Sequence, residues 1–185
     1  MSDYSAAANT PLVQRMIGAA MLNVNTYEEV EADSGATGQA ATVVAIVAVA
    51  SAIGAYQAGV ITMVLSIVMA FVGWVVMSYV TYFVGTRGFG GKADVGELLR
   101  TLGFSRAPGI LAVFGIVPIL GGLVSLVAAI WCLVTAFIAI RQALDIDNVK
   151  AAITAVISWI VATVIIMIPT MILGTMFAIG TAATN

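Results

Sequence analysis

Three long stretches of the chain carry no charged side chain at all: residues 34–86, 107–140 and 151–185. A helix rises about 1.5 Å per residue and the hydrocarbon core of a bilayer is about 30 Å thick. The first tract, at 53 residues, is therefore too long to cross only once. The seven Lys and Arg and nine Asp and Glu make 9% of the 185 residues, and 62% are apolar, with a mean hydropathy of +1.11. A soluble domain carries about 25% charged residues, so this chain cannot wet a globular exterior. An all-α, polytopic integral membrane protein follows.

Side chains that break helices divide the tracts. In the first, Ala55-Tyr56-Gln57-Ala58-Gly59 interrupts the aliphatic runs and predicts spans over 38–55 and 60–84. The second tract holds Pro118 and Gly121-Gly122, which predict a short segment over 107–118 and a full span over 122–140. The third predicts one span over 151–180, with Pro169 a place for a kink. The chain then divides into an N-terminal arm over 1–36, a five-segment membrane domain over 37–180 and a tail over 181–185.

With five crossings, Arg15, then Arg87, Lys92, Arg100 and Arg106, then Arg141 and Lys150 all fall on one side, seven cations against none. A single crossing over 107–140 would split them five against two. The positive-inside rule therefore predicts a cytoplasmic N-terminus and a C-terminus on the opposite side.

The arm is too acidic ahead of its first apolar run to read as a signal peptide. Thr10-Pro11 reads as a helix start, with threonine as cap and proline first inside. Leu12, Val13, Met16, Ile17, Ala20, Met21 and Val24 then recur at helical spacing, with Arg15 off that face, as in an amphipathic helix lying in the interface. Asn25 with Glu28 resembles a capping box for a second, acidic helix reaching Asp33. Tyr27, Glu28, Glu29, Glu31 and Asp33 there are either a solvated helix face or a docking surface for a basic cytoplasmic partner.

Residues that carry chemistry are sparse. There is no histidine and one cysteine, so disulfides, imidazole or thiolate metal sites and histidine acid–base catalysis lack their side chains. A net charge of −2 gives no case for nucleic acid. Gly88-Phe89-Gly90-Gly91-Lys92-Ala93 brushes against nucleotide fingerprints but lacks the strand before it and the Ser or Thr after its lysine, so it reads as a flexible loop. Asp94 and Glu97 cap a helix presenting Leu98, Leu99 and Leu102 and ended by Gly103. Arg100 and Arg106 read as interfacial anchors in preference to a lipid-phosphate site, since two arginines with two acids nearby fall short of a polybasic cluster. Within the spans Cys132 is the one ionisable group, read as a packing residue, and the lack of intramembrane acids and bases weighs against a pump. No catalytic residue, cofactor or metal is predicted.

The positive signal inside the bilayer is small residues four apart: Ala41-Ala45, Ala48-Ala52, Ala50-Gly54 and Ser66-Ala70. Such faces let helices approach closely, within one chain or between chains.

The acidic helix before the membrane, the five segments and the phrase Leu102-Gly103-Phe104-Ser105-Arg106-Ala107-Pro108 opening the short segment together resemble the Yip family, over about residues 12–180. That resemblance implies a helical-bundle membrane protein without known catalysis, whose eukaryotic relatives act in vesicle trafficking through cytoplasmic partners and each other. The short arm resembles bacterial members, which implies a bacterial plasma (inner) membrane, and the GTPase connection does not carry over. Two functions are then expected. One is a non-enzymatic scaffold or accessory subunit in contact with lipids and with other membrane proteins or itself. The other is a lipid- or small-solute-handling protein with a cavity at the short hairpin of Pro108, Pro118, Gly121 and Gly122.

Overall fold

A computed structural model of the protein describes residues 10–182, and among them every regular element is helical. Two arm helices, α1 (Leu12–Ala20) and α2 (Val24–Ala32), lead through a 3₁₀ turn at Ser34–Ala36 into α3 (Thr37–Gly54). Then come α4 (Val60–Phe83), α5 (Val95–Phe104), a 3₁₀ segment (Ala107–Ile116), α6 (Leu120–Leu144) and α7 (Asn148–Ala182). Four stretches are long and apolar enough to cross a membrane: Ser34–Gly54, Val60–Gly88, Leu120–Leu144 and Asn148–Ile168. The segment read as a short span is the 3₁₀ helix, apolar but too short to count among them. α7 runs without interruption through Pro169.

The caps of the arm differ from the sequence reading. Pro11 occupies the cap position of α1 and makes no side-chain bond, so Thr10 does not cap. α2 is capped by Asn23, whose side chain accepts from the Asn25 N–H at 3.1 Å, rather than by an Asn25–Glu28 box. The box at α5 forms as the sequence indicated. Asp94 accepts from the Glu97 N–H at 2.8 Å and Glu97 accepts from the Asp94 N–H at 2.7 Å, which satisfies two donors that the helix start leaves free.

α5 thereby presents Leu98, Leu102 and Phe104 to the core at the arm end, beside Tyr27, Val30, Ile140 and Leu144, all of them buried. Burying a Leu or Phe from water contributes about 1.5–3 kcal/mol, so α5 fastens the arm to the bundle. The glycine-rich loop is pinned rather than loose. Its Lys92 N–H donates to the Leu144 carbonyl at 2.9 Å, and a Cβ at Gly91 would stand 2.9 Å from the Leu144 side chain.

In the bilayer, apolar burial gives helices little reason to associate, and close backbone packing takes over. The 3₁₀ segment lies between α3 and α6, in contact with both along its length. A Cβ on Gly103 would meet Ala40, one on Gly109 would meet Val47, and one on Gly115 would meet the Gly54 backbone, at 2.7–2.9 Å in each case. These glycines recur every six residues and their partners on α3 every seven. Gly103 belongs to α5; from Gly109 to Gly115 the six residues of 3₁₀ helix, and from Val47 to Gly54 the seven of α-helix, are each about two turns, rising about 12 and 10.5 Å. The two rods therefore run parallel and nearly in register. Gly121, six residues further on, packs against Phe114 and Gly115 where the chain turns back into α6.

Candidate functional site

Arg15 governs the arm. The sequence placed it off the packing face; the structure buries it, 1% exposed, while Val13, Ile17 and Met21 on the same helix stay exposed. Its guanidinium donates to Glu29 at 2.9 and 3.1 Å, to Asp33 at 2.8 Å and to the Gln39 side chain at 3.0 Å. A planar fork with five N–H donors meets acceptors spread around its edge, where a lysine offers three donors on a single nitrogen. One side chain thus ties α1, the end of α2 and the start of α3.

The proposed docking residues are accordingly unequal. Tyr27 is fully buried, donates to the Ala19 carbonyl at 3.0 Å and has its phenol pushed up by that burial. Glu29 and Asp33 are held by Arg15. Glu28 is exposed and accepts from Gln142 at 3.2 Å. Glu31 is half-buried, and burial first, then Glu97, Asp145 and Glu28, push its carboxyl up to about 7 against the pull of Arg100. Arg100 is not an exposed interfacial anchor. It is buried and donates to the carbonyls of Val30 and Glu31, which α2 leaves unpaired at its C-terminus.

The raised Glu31 has a consequence for stability. An acid whose pKa is higher in the fold than the ordinary 4.5 binds its proton more tightly when folded, so folding stability falls as pH rises from about 4.5 to about 7. Glu31→Gln removes this deficit. Its melting temperature should match the parent's at pH 4 and exceed it at pH 8; equal values at pH 8 would contradict the account.

The small residues of α3 are engaged within the chain. Ala48, Ala50 and Ala52 are buried, Ala41 and Ala45 half-buried, and Gly54 lies against the Ala112 carbonyl of the 3₁₀ segment. On α4 the arrangement differs: Ser66 is exposed, donating only to the Met63 carbonyl at 2.8 Å, and Ala70 is half-buried.

A cavity of about 330 Å³ opens between α4, α6 and α7 at the base of the 3₁₀ segment. It is not at the hairpin: Pro118, Gly121 and Gly122 do not line it, Gly121 is tightly packed, and Pro108 is buried beside it without lining it. Its walls are mainly apolar, among them Trp74, Met77, Leu133 and Trp159, and its one charged member is Arg106. Trp74 is fixed by donating to the Leu99 carbonyl at 2.9 Å, and Thr135 ties α6 to the base by donating to the Ser105 carbonyl at 2.6 Å. Among the described residues, no carboxylate and no hydrogen-bond acceptor meets the Arg106 guanidinium. Burial holds this guanidinium below its ordinary value, opposed only by Cys132.

The fastening roles of Arg15 and Arg100 were not read from sequence. For Arg15 and Arg100 the partners are distant in the chain. Arg106 did leave a signal, since its nearest acid, Glu97, lies nine residues back and none follows until Asp145.

A family model described as "Yip1 domain" matches residues 23–169. No curated protein and no solved structure matches the chain.

Proposed function

The chain belongs to the Yip1 domain family, and from that premise we propose that it is a non-enzymatic membrane scaffold or accessory subunit that associates through the outer face of α4. The carrying observation is the contrast between two small-residue rows. The row on α3 is taken up by the 3₁₀ segment, whereas Ser66 is exposed and Ala70 only half-buried on a helix whose Val60, Ile61, Val64, Leu65 and Val68 are all exposed. Close approach of a second helix, from another copy or another membrane protein, needs such a row.

The proposal includes five crossings. The parallel register with α3 carries the chain from Gly103 near the end of α5, at the level of Ala40, to Gly115 in the 3₁₀ segment, at the level of Gly54, about 21 Å at 1.5 Å per residue. Counting it as a crossing puts all seven cations on one side, which supports a cytoplasmic N-terminus in a bacterial inner membrane and a C-terminus opposite. The exposed Val13, Ile17 and Met21 support α1 as an amphipathic helix in the cytoplasmic interface. Glu28 is then the member of the acidic group best placed to meet a cytoplasmic partner.

Cross-linking in native membranes tests the α4 face. In a Cys132→Ser background, Ser66→Cys should form a disulfide-linked species under mild oxidation, at twice the chain's mass or at its mass plus a partner's. Leu126→Cys, exposed on α6, should stay monomeric. The reverse pattern, or no cross-link from position 66, would rule the face out.

The cavity favours a second reading, in which the protein handles a lipid or small solute.

A further inference from the structure

We propose that the cavity beside Arg106 is a binding site for a lipid with an anionic headgroup, whose charged group pairs with the guanidinium while its chain lies along the apolar wall. This deepens the lipid-handling reading by naming the ligand class and the residue that selects it.

An arginine has five donors and no acceptor. Taking its charge out of water without a partner is among the costlier things a fold can do. Arg15 and Arg100 show how this chain settles such arginines, with carboxylates in one case and helix-end carbonyls in the other. Arg106 is the exception. It lines a cavity, and no acceptor among the described residues meets its guanidinium. Unlike Arg15 and Arg100, Arg106 is only half-buried, so its guanidinium reaches the open cavity and takes its acceptor from what occupies that space, water or an anion.

The remaining walls narrow the ligand. Two hydroxyls share the lining, but Ser105 already donates to Leu102 at 2.9 Å and Thr163 to Trp159 at 2.7 Å. Each is left offering lone pairs, which suit no anion, so Arg106 is the sole charged donor and the site suits a single anionic group. The other surfaces suit hydrocarbon. Leu133 and Trp159, each 59% exposed, carry the cavity out to the bundle's outer surface, where acyl chains lie. A volume of about 330 Å³ is at the small end of ligand sites, about 300–1,000 Å³. It admits a headgroup's charged portion and the start of a chain, with the rest of the chain left in the bilayer. Arg106 also sits directly before the apolar tract that begins at Ala107, the depth at which headgroups occur.

Fluorescence quenching of the full chain in neutral detergent tests this. With Trp131→Phe, the emission comes from Trp74 and Trp159, both on the cavity wall. The probes are phosphatidylglycerol and phosphatidylcholine with brominated chains, and unbrominated phosphatidylglycerol and inorganic phosphate as competitors. A charge-assisted contact of about 1.5–3 kcal/mol corresponds to roughly 10–100-fold. Phosphatidylglycerol should therefore quench saturably at concentrations at least about tenfold below phosphatidylcholine, and Arg106→Gln should erase that preference. Ala162→Leu, which keeps Arg106 and fills the cavity, should weaken both lipids; it carries the test should the Gln variant fail to fold. An intact preference in Arg106→Gln, or undiminished quenching of Ala162→Leu by both lipids, would overturn the assignment to this cavity while leaving lipid handling standing. No saturable quenching by either lipid would overturn both. Competition by inorganic phosphate at the potency of the lipid would make this a free-anion site and overturn the lipid.

Discussion

Arg15→Ala should destabilise the fold by about 2–3 kcal/mol and release α1. Removing one partner of a buried ion pair costs about 3–5 kcal/mol, because the other charge is stranded. The lower figure applies here since Glu29 and Asp33 keep 26% and 16% of their side-chain surface and water can recover part of their solvation. Unfolding in mixed detergent micelles should show the loss, and amide exchange should show protection lost through α1 and the end of α2. Arg15→Lys should recover less than half, because a single ammonium cannot reach three acceptors disposed for a fork. A change below about 0.5 kcal/mol, with α1 amides still protected, would mean the arm is held by its apolar contacts alone.

Gly54→Leu should be more damaging still, by more than about 3 kcal/mol, at the upper end of overpacking costs. A Cβ there collides with the Ala112 carbonyl, which is backbone and cannot rotate away, so α3 and the 3₁₀ segment must separate. The control lies on the same helix. At Gly38 a Cβ would have nothing within 4 Å, so Gly38→Ala should be neutral or stabilising by up to about 1 kcal/mol from helix propensity. Opposite signs for two glycines on one helix would separate close packing from propensity; equal losses would show that glycine acts here through the backbone and not through space.

What the sequence revealed, and what it hid, follows from the range of each interaction. The uncharged tracts and the Asp94–Glu97 cap depend on neighbours in the chain, and both could be read directly. The break at Tyr56-Gln57 likewise appears as a 3₁₀ turn closed by Gly59 at φ 88°. The acidic run was visible as charge, but its meaning depended on Arg15, 14 and 18 residues away, and no local pattern links them. The spacing of Gly109 and Gly115 was present in the sequence, yet nothing local announced a 3₁₀ helix, of which six residues make two turns. The cavity was expected where the chain turns, at Pro118 to Gly122, because a broken helix often lines a site. There Gly121 instead closes the gap, and the space opens at the other end of the short segment, beside the arginine that precedes it.

The placement of Arg141 and Lys150 on the same side as the other five cations rests on residues 107–140 crossing the membrane twice. Single cysteines at Gln57 and Asp147, in a Cys132→Ser background and probed with a membrane-impermeant thiol reagent, test it most directly. Five crossings predict that position 57 labels in intact cells and position 147 labels only after permeabilisation. Labelling of position 147 in intact cells would contradict this, since the short 3₁₀ segment would then turn back without crossing.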